Sequence, residues 1–234
     1  MRIKTGMSAV FTYARQCDFI RTANPVVGAK AEGHHRKPES YAYTIAEIKT
    51  MLERLGDPAR VVVAPAAFSG LRVGELRGLR WEDFTGDELI VRRSVWRTHV
   101  AEPETPESAA SVPVIPVLKN ILEAPHQQHP GNGYIFAGPK RGGPLHLDNL
   151  ARREIILIIG PLWNGWHAFR RGFATNLFEL GIQPKVVEGV LRHSDIGSTA
   201  KHYIVLENRE AGRAAMEIMG QAWDSMGPKK SRKR

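Results

Sequence analysis

Trp166-His167-Ala168-Phe169-Arg170-Arg171-Gly172-Phe173-Ala174-Thr175-Asn176-Leu177 repeats large apolar side chains every four residues, at Phe169, Phe173 and Leu177. That spacing predicts a helix with one buried stripe. His167 and Arg170 fall together on one side of its start, and a helix N-terminus carrying His and Arg suits a phosphate. The plain alternative is a capping or core histidine at His167 and a solvated charge at Arg171.

Upstream, Gly70-Leu71-Arg72-Val73-Gly74-Glu75-Leu76-Arg77-Gly78-Leu79-Arg80-Trp81 sets Arg72 and Glu75 three apart on one helical face, beside Leu76 and Leu79. An arginine on the inward side of a helix needs an anion. A local i,i+3 ion pair meets that need without any ligand. Downstream come Val190-Leu191-Arg192-His193-Ser194-Asp195 and then Ser198-Thr199-Ala200-Lys201-His202-Tyr203-Ile204. Tyr203 taken alone reads as an ordinary core or surface aromatic.

The remaining pattern is mainly helical. Thr44-Ile45-Ala46-Glu47 is a capping box, and Ile45, Ile48, Met51, Leu52 and Leu55 follow on one face until Gly56. Further helices are predicted over about 58–68, from near Arg72, and over about 117–122, 147–158, 167–180, 184–191 and 208–219, with Gly181 as a C-cap. The last has Ala211, Ala214, Ala215, Ile218 and Met219 on its apolar side. It packs either on its own domain or on a neighbouring subunit. Two β-rich stretches, 89–98 and 111–115, flank the polar loop 101–110 and predict one small antiparallel hairpin. The expected fold class is therefore α+β, mainly α-helical, with a small antiparallel β-sheet. Before it, Val10, Phe11, Tyr13, Ala14 and Phe19 predict a lone helix over 8–20, stopped at Asn24-Pro25, with a polar linker after it.

The chain carries 33 Lys and Arg against 24 Asp and Glu, for a net charge of +9, which favours a polyanionic partner. Lys229, Lys230, Arg232, Lys233 and Arg234 concentrate five of these charges in a tail, either a solvated arm or a DNA clamp. Cys17 is the sole cysteine, so neither a disulfide framework nor a Cys-based metal site is available. Nine histidines include no His-Glu-x-x-His, and Gly-x-Ser-x-Gly is absent, which argues against zinc-peptidase and serine-hydrolase chemistry. The longest apolar stretches are too short to span a bilayer, and no signal pattern opens the chain, so a cytoplasmic protein is expected.

Taken in order, Gly-Leu-Arg-x-x-Glu-Leu-x-x-Leu-x-Trp-x-Asp, then His-x-x-Arg-x-x-x-Ala-Thr, Leu-x-His-Ser and Ser-Thr-x-x-x-Tyr, the sequence resembles the tyrosine recombinase (phage integrase) family over about 41–217. The resemblance implies a catalytic set of Arg72, His167, Arg170, His193 and Tyr203. Arg72 and Arg170 would hold a scissile phosphate, Tyr203 would attack it, and His167 and His193 would support proton transfer. It also implies double-stranded DNA as partner, self-association on DNA, a nucleoid-associated location, and no cofactor or metal. Residues 1–32 would be the remnant helix of an N-terminal DNA-clamping domain, 33–40 a linker, 41–226 the catalytic domain and 227–234 a basic tail.

One family position departs. Members carry a lysine on the hairpin, in a stretch like Pro-Lys-Thr-x-x-Ser, whereas this chain reads Pro103-Glu104-Thr105-Pro106-Glu107-Ser108. No lysine occurs between Lys49 and Lys119. Losing a general acid costs roughly 10²- to 10⁴-fold in rate. Either Arg97 or His99 on the same hairpin substitutes, or Glu104 swings into solvent, and the competing expectation is an impaired relative that binds DNA without completing strand exchange. A helix-turn-helix regulator would also be basic and helical, but it needs no Arg/His/Arg/His/Tyr set.

Overall fold

The computed structural model describes residues 2–29, 40–101, 110–128, 133–138, 142–192 and 201–226. Its contacts divide the chain into two units, Met1–Glu39 and Ser40–Arg234.

The first unit is built on α1 (Arg2–Gln16), longer at its N-terminal end than the periodicity predicts and ending before Phe19. Asn24 closes the following loop onto it. Its side-chain amide donates to the Ser8 carbonyl at 3.0 Å and its Oδ1 accepts from the Val26 amide at 3.0 Å. Ile3, Val10, Tyr13 and Phe19 stay exposed.

The second unit opens with a segment fastened to a helix far along the chain. The Tyr43 backbone amide donates to the Ala168 carbonyl at 3.3 Å, and the Asn176 side-chain Nδ2 donates to the Tyr43 carbonyl at 3.1 Å. The Tyr43 hydroxyl accepts from the Asn164 amide, and its ring lies 4.4 Å from that of Phe169. Backbone can approach α8 (Trp166–Glu179) so closely because Gly172 faces it; a Cβ there would overlap the Tyr43 peptide.

The helix α2 (Ile45–Arg54) starts with the expected capping box, the Thr44 Oγ1 accepting from the Glu47 amide and the Glu47 carboxylate from the Thr44 amide. Next comes α3 (Ala59–Phe68), buried on all sides, including Val61, Val62, Val63 and Phe68. After it, α4 (Val73–Gly78) begins one residue past Arg72.

The β region is more divided than a single hairpin. Strand β1 (Glu88–Val91) pairs antiparallel with β4 (Ala110–Pro113), while β2 (Ser94–Trp96) turns straight back to pair with β3 (His99–Ala101). The stretch 89–98 is therefore two strands. It breaks at Arg92 and Arg93, whose side chains reach back to buried Asp83, at 3.4 Å and 2.6 Å. A tight turn with Arg97 at φ 53 then reverses the chain.

Later helices are α5 (Pro116–Gln128), α6 (Leu147–Leu150), α7 (Ile156–Ile159), α8, α9 (Pro184–Leu191) and α10 (Lys201–Ser225). A π-helical turn, Ala151–Ile155, joins α6 to α7. Its cause lies in the sequence: Leu147, Ala151, Ile155 and Ile159 are all buried and four apart, a spacing that drifts about 40° per step around an α-helix of 3.6 residues per turn. One wider turn restores them to a common face.

The core gathers α2, α3, α5, α8 and the C-terminal part of α10. Phe169, Phe173 and Leu177 form the buried stripe of α8. On α10 the buried face is Ala215, Met216 and Met219, and Trp223 stacks edge-on against Phe68 at 5.2 Å, so this helix packs on its own unit. No helix among the described residues is long and apolar enough to cross a membrane.

Candidate active site

Arg72 caps α4 with extended backbone, at φ −71 and ψ 154. Its amide donates to Glu75 Oε2 at 2.8 Å, and its Nη1 donates to Oε1 at 2.9 Å. The i,i+3 pair expected from spacing is therefore made. It does not close the site, since the Arg72 side chain remains 46% exposed while that of Glu75 is 12% exposed.

Arg170 approaches from α8. Its Nη1 donates to the Gly70 carbonyl and its Nη2 to the Leu191 carbonyl at 2.7 Å, which ties the loop before α4 to the end of α9. Gly70 sits at φ +60, and a Cβ there would stand 2.8 Å from the Phe173 ring and 2.9 Å from Leu191. Any other residue would be strained at this φ and would crowd the Phe173 and Leu191 side chains. Burial, reinforced by the charges of Arg72 and Arg192 and opposed by Glu75, pushes the Arg170 guanidinium down to about 10. It remains cationic at neutral pH.

Arg192 is a member of this cluster that periodicity and motif reading passed over. Its Nη2 donates to Glu75 Oε2 at 2.8 Å, joining the end of α9 to α4. Burial raises the Glu75 pKa, but Arg192, then the hydrogen bonds and charge of Arg72, leave it below the ordinary glutamate value. Sequence held one clue, a charged residue placed directly before His193 at the close of an apolar helix.

His167 lies in the first turn of α8, exposed, so it is not a core histidine. It borders an open groove of about 630 Å³ together with Val73, Asp148, Arg152, Trp163 and Trp166. Val73 directly follows Arg72, so the groove adjoins the arginine cluster. Tyr203 belongs to α10, whose later turns pack against α8 and α9; its side chain, His193 and Glu104 lie outside the described residues. The structure thus brings Arg72, Arg170, Glu75 and Arg192 together.

The hairpin is held beside α4 by Arg77, which donates to the carbonyls of Leu145 (3.1 Å), Val95 (3.2 Å) and Arg97 (3.0 Å). Gly74 and Gly78 let β2 approach; a Cβ on Gly78 would stand 2.6 Å from the Arg93 carbonyl. Arg97 lies over the exposed Trp96 ring, 4.6 Å from its centroid, with His99 stacked on the other strand at 6.4 Å.

The model of the phage integrase family matches residues 44–210, well over half of the chain, and includes every residue of this cluster. The chain belongs to the phage integrase family. A similar curated relative is a tyrosine recombinase XerC-like protein of Caldanaerobacter subterraneus, 28% identical over 84% of this chain and 59% of the relative. The chain thus spans less than two thirds of that protein. Among solved structures, the Tn1549 transposon integrase in complex with a circular intermediate DNA superposes with a TM-score of 0.63 at 21% identity, covering 93% of this chain and 78% of that one. A lambda integrase dimer bound to a core site gives 0.56 at 20% identity, over 82% and 71%. At such identities the likeness is one of fold, and it agrees with the mainly helical, small-sheet architecture described above.

Proposed function

We propose that this protein performs site-specific recombination of double-stranded DNA by tyrosine-mediated strand cleavage and rejoining. The observation that carries the reading is that Arg72, from the cap of α4 and paired with Glu75, and Arg170, from α8 and bonded to the Gly70 carbonyl two residues before Arg72, come together in a chain that belongs to this family. Two guanidiniums suit the non-bridging oxygens of a phosphodiester, which gain negative charge as a nucleophile adds.

In this reading the Tyr203 phenolate oxygen attacks phosphorus, the bond to the 5′ oxygen breaks, and the strand is left as a 3′-phosphotyrosine. A free phenol has pKa about 10, so the cationic field of the cluster assists its ionisation. His167 and His193 hydrogen-bond the phosphate and handle protons. Attack by a 5′ hydroxyl on the phosphotyrosine reverses the step, so bond energy is conserved and no nucleotide cofactor or metal is called for. With Glu104 at the family's lysine position, the proton for the departing 5′ oxygen is assigned to Arg97 or His99 on the adjoining hairpin. Residues 1–32 serve as part of a DNA-clamping element, 33–40 as a linker, 41–226 as the catalytic domain and 227–234 as a basic tail. Self-association on DNA and a nucleoid-associated, cytoplasmic location belong to the same proposal.

The test is covalent trapping on nicked duplexes taken from the DNA flanking this gene, resolved on denaturing gels. A slowly migrating adduct with wild type that disappears in Tyr203→Phe is the expected result. An adduct seen only with Glu104→Lys would show a disarmed enzyme, and none with any variant would overturn the reading.

A further inference from the structure

Arg192 ends α9 in the left-handed conformation, φ 57 and ψ 48, which glycine adopts freely and a branched or long side chain resists. The chain nevertheless places there a long cationic side chain that is only 15% exposed. Its Nη2 is spent on Glu75, and its Nη1 is buried with no hydrogen-bond partner among the described residues. A strained backbone, a buried cation and an unmatched donor are all unfavourable for folding. A plain helix end would have avoided them.

Charge counting shows what they accomplish. Glu75 with Arg72 alone makes a closed, neutral pair, and a neutral pair attracts an anion weakly. Adding Arg192 on the opposite side of the same carboxylate leaves the trio at +1, and Arg170 beside it brings the cluster to +2. A phosphodiester carries one negative charge and its pentacoordinate transition state two. Carboxylate geometry divides the work: Oε1 takes the Arg72 side chain, and Oε2 takes the Arg72 amide and Arg192.

We propose that Arg192 is a positioning residue for phosphate: it neutralises Glu75 from the α9 side, leaving Arg72 anchored in orientation yet net cationic toward a bound phosphate. The inference rests on the assignment of Arg72 and Arg170 to phosphate binding made above. It differs from a merely structural tie between α9 and α4, because a tie requires only that the bond be made, whereas neutralisation requires the charge and becomes dispensable once Glu75 is uncharged.

Inorganic phosphate is the probe, titrated into the full chain at constant ionic strength and followed by calorimetry, with thermal melts as folding controls. Arg192→Met is expected to weaken phosphate binding on the order of tenfold, the loss of roughly one charge-assisted interaction. Arg192→Lys should retain most of the affinity. The double variant Glu75→Gln with Arg192→Met should recover it, because the carboxylate that needed neutralising is gone. Should Arg192→Met fail to fold, Arg192→Gly, which relieves the left-handed backbone, takes its place in the comparison. Wild-type affinity in Arg192→Met or Arg192→Gly, or a double variant as weak as the single, would overturn the proposal. Wild-type affinity in Arg72→Ala would instead overturn the phosphate assignment itself, whatever the Arg192 variants do.

Discussion

The Arg170 guanidinium reaches the Leu191 carbonyl at 2.7 Å with one nitrogen while its other terminal nitrogen holds the Gly70 carbonyl. A residue assigned to phosphate therefore also bridges two backbone segments, the loop ahead of α4 and the close of α9. Those two segments carry Arg72 and Arg192, so the fork of Arg170 sets the spacing between the other cations.

Arg170→Lys is for this reason not conservative. An ammonium on a flexible stem cannot span both carbonyls in the way a planar fork does. We expect a loss of about 1–3 kcal/mol, from hydrogen bonds to a charged group, and a melting temperature lower by roughly 2–4 °C for each kcal/mol. Calorimetry on wild type and variant checks this; an unchanged melt would show that the bridge contributes nothing.

Glu75 should confer acid sensitivity. Its folded pKa is depressed, so its contribution to stability is complete above the unfolded glutamate value near 4.5 and is lost as pH falls through the lower folded value. Urea midpoints measured from neutral pH down to about pH 3 should show wild type falling more steeply than Glu75→Gln below about pH 4.5. Parallel curves for the two proteins would contradict the prediction.

Asp83 and Arg93 form a buried pair at 2.6 Å, with side chains 1% and 8% exposed. Burial raises the Asp83 pKa despite the Arg80 amide and Arg93, as expected when desolvation outweighs attraction. Asp83→Ala leaves the buried Arg93 with the half-exposed Glu82, at 3.2 Å, as its counter-ion, so the cost should reach at most about 3–5 kcal/mol. Arg92→Ala, which removes the half-exposed neighbour, should cost at most about 1 kcal/mol. Denaturant unfolding of both variants separates the cases.

Arg77→Ala should loosen the β2–β3 hairpin more than the rest of the unit. Three carbonyls, of Val95, Arg97 and Leu145, lose their donor together. Amide hydrogen exchange over 94–101 should quicken, while α3 and α8 keep their protection. Uniform acceleration would mean that Arg77 supports the whole core instead.

Most helices were legible in sequence because their signals are local. The Thr44 capping box and the Pro184–Leu191 helix follow from neighbours a few residues apart. The β region reads as one hairpin in sequence because Arg92 and Arg93 look like solvated strand charges, and nothing nearby announces that Asp83 is buried to receive them. The π turn between α6 and α7 was implicit in the four-residue spacing of Leu147, Ala151, Ile155 and Ile159, yet that spacing also fits a plain helix over one turn. Arg72 and Arg170 stood out through their motifs. Arg192 did not, since its part depends on a left-handed cap that aims it at a carboxylate 117 positions away.

The attachment of Tyr43 to α8 sets a practical boundary for producing this unit alone. A fragment begun at residue 44, where the family match starts, would omit the peptide that seats against Gly172, the acceptor for Asn176 and the ring that covers Phe169. The helix bearing His167 and Arg170 would then expose its inner side to water. Expression trials should start upstream of Tyr41, whose carbonyl is already taken by Arg171 at 2.6 Å.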